Sequence, residues 1–172
     1  MSNFTINANH FLRNDYSMDR ALIDKTERAI TSSGKLAQAD SSAIRRAVKK
    51  LGSYDFTIDE KKVTTEYKTN FSKDLRAFID SYNYAVESSK SSTNEGVTRA
   101  GKKLQNVSKK YEETLKDLGI TIKSGGYMEI KDSATSSLKL STFGRAFSKD
   151  SDYMKEIEKA AKSIQNHVDF RA

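Results

Sequence analysis

The sequence predicts a mainly α fold: an antiparallel hairpin of long helices, shorter helices packed along it, and one small two-stranded β-hairpin. Three observations carry this prediction. Apolar residues recur every three or four positions through two long stretches, near residues 60–90 and 96–118. No proline interrupts the 172 residues, so no missing amide donor or ring clash ends a helix early. A Ser124-Gly125-Gly126 turn lies between two short segments of alternating apolar residues, the pattern of a tight hairpin.

Residues 1–14 read as an irregular arm, with four asparagines and scattered apolar residues. Residues 15–172 read as a single elongated helical domain with the hairpin at about 119–131. A helix over 16–30, with Met18, Leu22 and Ile30 among its apolar residues, is expected to stop at Thr31-Ser32-Ser33-Gly34. Asp40 then reads as the N-cap of a short helix, its carboxylate accepting from free first-turn amides. Ala43, Ile44, Ala47, Val48 and Leu51 make the apolar stripe of that helix. Gly52 is placed to adopt positive φ after its last turn.

Residues 54–58 alternate apolar and polar, as a short strand or an extended linker does. From Asp59 a long helix is predicted, with Val63, Tyr67, Phe71, Leu75, Phe78, Tyr82 and Val86 on one face. Such an aromatic stripe is core before it is a ligand groove. Residues 87–94 hold no apolar side chain and read as a loop, with Thr93 or Asn94 capping the next helix. The second long helix carries Val97, Gly101, Leu104, Val107, Tyr111, Leu115 and Leu118 in steps of three and four, a coiled-coil-like seam. Joined by a short polar loop, the two long helices should pack antiparallel. Gly119 ends the second. Ile120 and Ile122 share one face of a strand, and so do Met128 and Ile130. Two strands alone are marginal, so the ribbon must pack on helices or pair with another chain. Asp132-Ser133 is placed to cap a helix through Leu138 and Leu140 that ends near Gly144. Ser151 opens the last helix, where Met154, Ile157, Ala161, Ile164 and Val168 repeat at heptad spacing and form a candidate association seam.

Three of these segments resemble the C-terminal portion of the flagellar filament-capping family, hook-associated protein 2. Phe78-Ile79-Asp80-Ser81-Tyr82-Asn83 looks like that family's Phe-Val-Asp-x-Tyr-Asn signature on a long helix. Residues 115–122 look like its Leu-x-x-Leu-Gly-Ile approach to a hairpin, through Gly119. Gly126-Tyr127-Met128-Glu129-Ile130 looks like its Gly-x-Leu-x-Leu second strand. A polar helix, a phenylalanine near Phe147 and a closing heptad helix come next in family order, so that residues 75–170 are covered. One departure is Lys131, which separates the second strand from Asp132 where the family places Asp directly. The family's N-terminal segment and outer domains have no counterpart in these residues. The resemblance implies a helical shaft protein of an axial, self-assembling kind, exported through the flagellar channel to the outside of the cell. Its partners would be copies of itself or flagellar axial proteins.

Composition bounds the chemistry. With no cysteine there are no disulfides and no thiolate metal ligands. The two histidines, His10 and His167, lie at opposite ends of the chain, and no carboxylate–histidine cluster suggests zinc. No Ser-His-Asp spacing, phosphate-binding glycine loop or promising buried carboxyl pair occurs, so no enzyme, cofactor or small-molecule substrate is expected. No apolar run approaches the roughly 20 residues that span a bilayer. The start lacks the basic and apolar regions of a secretory signal peptide. Net charge is +7, on lysines spread along the chain and mostly interleaved with acids. The strongest phosphate-contacting candidates are Arg45, Arg46, Lys49 and Lys50, on the polar face of the short helix. Two readings of function result. The first is a non-enzymatic structural or assembly protein working by helix association. The alternative is an intracellular basic protein that binds nucleic acid non-specifically and stays in the cytoplasm.

Overall fold

The computed structural model describes residues 25–133 and 139–168. It is mainly helical, with one two-stranded antiparallel sheet. Helix α1 (Lys25–Arg28) is all that is described of the helix expected over 16–30, and the expected arm at 1–14 lies outside the described residues. Ile30, counted among that helix's apolar residues, sits in the turn after α1 and is exposed.

Helix α2 (Ser33–Leu51) starts seven residues before the expected cap at Asp40. The break between α1 and α2 falls at 29–32, so Thr31 and Ser32 separate the two helices as expected, whereas Ser33 and Gly34 are already helical. Asp40 lies in mid-helix and is fully buried. Its two carboxylate oxygens accept from the two terminal nitrogens of Arg28 at 2.8 and 2.9 Å, and the guanidinium also lies over the Tyr84 ring. A distant partner, not a free helix end, accounts for this acid. Gly52 keeps a right-handed conformation (φ −66) instead of positive φ. What it supplies is closeness, since a Cβ there would lie 3.3 Å from the Lys149 Cα.

Residues 54–58 form neither strand nor extended linker. They are turns, pinned by Asp55, whose carboxylate accepts from the Thr57 amide at 2.8 Å. Tyr54 donates to Asp74 at 2.6 Å, and Phe56 turns into the core. Asp59 caps only the 3₁₀ turn Glu60–Lys62. The long helix α3 (Thr65–Lys90) begins later, with Thr64 accepting from the Tyr67 amide. It also runs further than expected, so the loop shrinks to 91–94 and Ser88 and Ser89 are buried within the helix. Asn94 is the cap of α4 (Glu95–Lys110), accepting from the amides of Gly96 and Val97.

The second long rod is not continuous. Tyr111 leaves helical geometry (φ −102, ψ 17), and a separate short helix α5 (Glu112–Asp117) comes after it. Helices α3 and α4 pack against each other, with Gly101 facing Ser89, and the turn of the ribbon meets both, at Tyr82 of α3 and Gln105 of α4. The more extensive partners are α2 for α3, and the last helix for α4.

Strands β1 (Ile120–Ile122) and β2 (Met128–Ile130) pair with Ile120 opposite Ile130 and Ile122 opposite Met128. Gly119, Gly125 and Gly126 all take positive φ around them. Asp132 and Ser133 are themselves helical, and the helix they were to cap is not described over 134–138. Helix α6 (Leu140–Phe147) passes through Gly144 instead of ending there. It plugs the core with aromatic rings: Phe143 against Phe71, and Phe147 against both Phe78 and Tyr153, at centroid distances of 5.3, 5.7 and 6.0 Å. Helix α7 (Asp152–His167), capped by Ser151, runs antiparallel to α4: Asn94 donates to His167 O at one end and Lys110 meets Glu156 at the other. One face of α7 packs on α4 and the other on α2.

Candidate functional site

Three of the residues that carry the family resemblance, Tyr82, Asn83 and Gly126, converge on one joint between α3 and the ribbon, whereas Gly119 lies at the other end of the ribbon, opposite Lys131. Phe78 and Tyr82 lie one turn apart on the buried face of α3. The Tyr82 hydroxyl donates to Gly126 O at 3.1 Å. Asn83, next in sequence, accepts from the Met128 amide at 2.7 Å and donates to Met128 O at 2.9 Å. The ladder explains why Met128 needs it. Lys131 N donates to Gly119 O and Lys123 N to Tyr127 O, so the inward-facing rows are the odd-numbered residues of β1 and their partners. The backbone groups of Met128 face away from β1, and the asparagine amide completes that edge as a third strand would. Gly126 permits the approach, because its φ is 81 and a Cβ would stand 2.6 Å from Gln105 Oε1. Asp80, also of the motif, is half-buried on the same helix.

Behind the joint the phenols of Tyr82 and Tyr153 are both fully buried. Burial pushes Tyr82 up to about 12, partly offset by a hydrogen bond with Ser108, and raises Tyr153 further. Burial thus favours the neutral form of both phenols, which suits packing. Tyr153 also directs its hydroxyl at Met128 Sδ, tying α7 to β2.

The heptad seam of α7 is not free for association. Met154, Ile157, Ala161 and Ile164 are at most 1% exposed and Val168 is 9% exposed, all within the chain's own core. Periodicity identified the residues correctly but could not say which chain covers them. The basic quartet is likewise divided. Arg45 donates to Gln165 Oε1 at 2.8 Å and lies 3.9 Å from Glu158, whereas Lys50 turns towards Asp74 at 4.0 Å. Of the four, only Arg46 and Lys49 face solvent with no ion pair among the described residues. The broader cationic surface is on α4, where Arg99, Lys102, Lys103 and Lys109 are all exposed and none has a carboxylate partner among the described residues. The sequence showed those cations, but the missing counter-charges emerge only from the packing. Lys110 is the exception, 2.6 Å from Glu156.

Among the described residues no group of three or more histidine or carboxylate side chains is placed to hold a metal ion, and no helix is long and apolar enough to cross a membrane. No family model, curated protein or solved structure matches this chain.

Proposed function

We propose that this chain is a non-enzymatic structural protein of an axial, self-assembling kind, related to flagellar axial or filament-cap components. The observation that supports this reading is the Asn83–Met128 joint. Three of the positions that resemble the cap family are spent on fixing a ribbon to a helical shaft, a use for residues in architecture and not in turnover. The buried neutral phenols behind it fit the same purpose. Because the α7 seam is consumed internally, docking falls to the outward faces of α2, α4 and α7. The reading carries with it export through the flagellar channel and an extracellular location.

Co-sedimentation with purified flagellar filaments, together with sedimentation velocity at micromolar concentration, tests it. Pelleting with filaments or concentration-dependent assembly is expected. A strict monomer that ignores filaments refutes the reading.

A second reading has its own observation, the stripe of Arg99, Lys102, Lys103 and Lys109 on α4, which meets no carboxylate among the described residues. Four such cations would give a cytoplasmic chain salt-dependent affinity for nucleic acid phosphates. Titration of a duplex oligonucleotide decides it: no binding at about 50 mM salt, where non-specific contacts are still measurable, eliminates this reading.

A further inference from the structure

The C-terminal end of α2 meets the start of α7 across a groove of about 460 Å³. Val48, Gly52 and Met154 line its inner side, and Lys49, Lys149 and Lys155 stand around it. Gly52 gives the groove its depth, because any side chain there would press on the Lys149 backbone. The three lysines are exposed, and none has a carboxylate partner among the described residues. Lys155 donates to the backbone carbonyl of Asp150, which fixes its ammonium at the rim without neutralising it. One carboxylate lies on the lining, that of Glu158, and Arg45 at 3.9 Å balances it. The aliphatic stems of the lysines extend the apolar lining while their charged ends stay in water.

We propose that this groove docks an acidic segment of a partner protein. An apolar side chain of that segment sits against the edge of Val48 and the aliphatic stems of the lysines, and flanking carboxylates meet Lys49, Lys149 and Lys155. The inference rests on the reading of the chain as a protein-docking module and names the chemistry of its partner. Charge complementarity selects the occupant, since three uncompensated ammonium groups around an apolar floor match carboxylates around an apolar anchor. A second copy matches less well than an acidic segment, because its 30 Lys and Arg outnumber its 23 Asp and Glu. Nucleic acid would meet the same cations, but the lining offers no aromatic side chain on which a base could stack.

Fluorescence anisotropy on the full chain tests the proposal. The probes are a short labelled peptide of aspartate and glutamate around one leucine, the same peptide with serine for leucine, and a single-stranded oligonucleotide of equal charge. The leucine peptide should bind at about 50 mM salt, and loss of the buried leucine should weaken binding roughly tenfold or more. Lys49→Glu, Lys149→Glu and Lys155→Glu should each weaken it several-fold. Lys102→Glu, which makes the same change in total charge on α4, should barely alter it. All four positions are exposed, and circular dichroism checks that each variant folds. The proposal is overturned by absence of peptide binding, by equal binding of the two peptides, by an equal loss in Lys102→Glu, or by tighter binding of the oligonucleotide. Should any of these occur while the chain still pellets with filaments, the groove assignment fails and the assembly reading stands. If filament binding is also absent, both fail.

Discussion

Replacing Asn83 by alanine isolates the joint on which the architecture turns. The change removes both hydrogen bonds to Met128, at 2.7 and 2.9 Å, and leaves the outward amide and carbonyl of β2 without their partner. At about 1 kcal/mol net for each bond, the ribbon loses about 2 kcal/mol of its attachment. A two-stranded ribbon has little stability of its own, so the loss appears first as local opening. Hydrogen exchange measures it directly: the Met128 amide should exchange about thirtyfold faster, while amides in the centre of α3 keep their protection. Asn83→Asp separates the two bonds, because a carboxylate still accepts from the Met128 amide but cannot donate to its carbonyl. Its Met128 amide should therefore stay protected more than in Asn83→Ala. Unchanged exchange at Met128 in the alanine variant would mean that the ribbon is held by its apolar face alone, and the reasoning would be wrong.

The packing has further consequences. Gly101→Ala should destabilise the chain by about 1–2 kcal/mol in urea denaturation, because a Cβ would lie 2.2 Å from Ser89 Cβ and overpacking outweighs the roughly 1 kcal/mol gain in helix propensity. A net gain in stability would refute that contact, and Ser89→Gly in the same chain should restore much of the loss. Ile157→Ala should cost about 2–5 kcal/mol by leaving a cavity, without changing the sedimentation coefficient of the folded chain, since its seam is internal. A change in association with little loss of stability would place that seam between chains instead. Arg28→Met should cost about 3–5 kcal/mol at neutral pH by stranding the Asp40 carboxylate. Burial holds Asp40 above the usual carboxylate range despite the guanidinium, so the folded state binds the proton more tightly than the unfolded one. That contribution to stability falls as pH rises from the ordinary aspartate value to the raised one. Removing Arg28 should push the raised value higher, so acidification should recover part of the lost stability, and denaturation midpoints that do not respond to mildly acidic pH would contradict this.

Much of the fold was legible because local rules and burial agree. The stripe from Phe71 to Val86, the Ser151 and Asn94 caps, and the ribbon with positive φ at Gly119, Gly125 and Gly126 lie where spacing and turn chemistry put them. Misreadings fall where a distant partner overrode a local preference. Asp40 has the chemistry of a cap, but Arg28 draws it into the interior of a helix. Ser88 and Ser89 read as loop, yet they are small enough for α4 to press against α3, and the helix continues through them. Tyr54 and Phe56 alternate like a strand, but each ring anchors separately to α3 through Asp74 and Phe71. Tyr111 belongs to the apolar seam by position, and its hydroxyl bonds Glu156 at the place where the helix breaks.

The sequence alone determined which side chains leave water, because helical and strand periodicities place apolar groups on one face whatever covers them. It also determined the caps at Asn94 and Ser151 and the hairpin turn at Ser124-Gly125-Gly126, which depend on residues a few positions apart. Only the tertiary structure decided what each face is covered by. The heptad residues of α7 read as an association seam between chains, and packing between α2 and α4 makes them core of this chain instead. Likewise only the folded arrangement separates Arg45 and Lys50, which meet counter-charges, from Lys49, Lys149 and Lys155, which meet none among the described residues. Coulombic balance depends on distances across elements, and no local pattern in a chain encodes them.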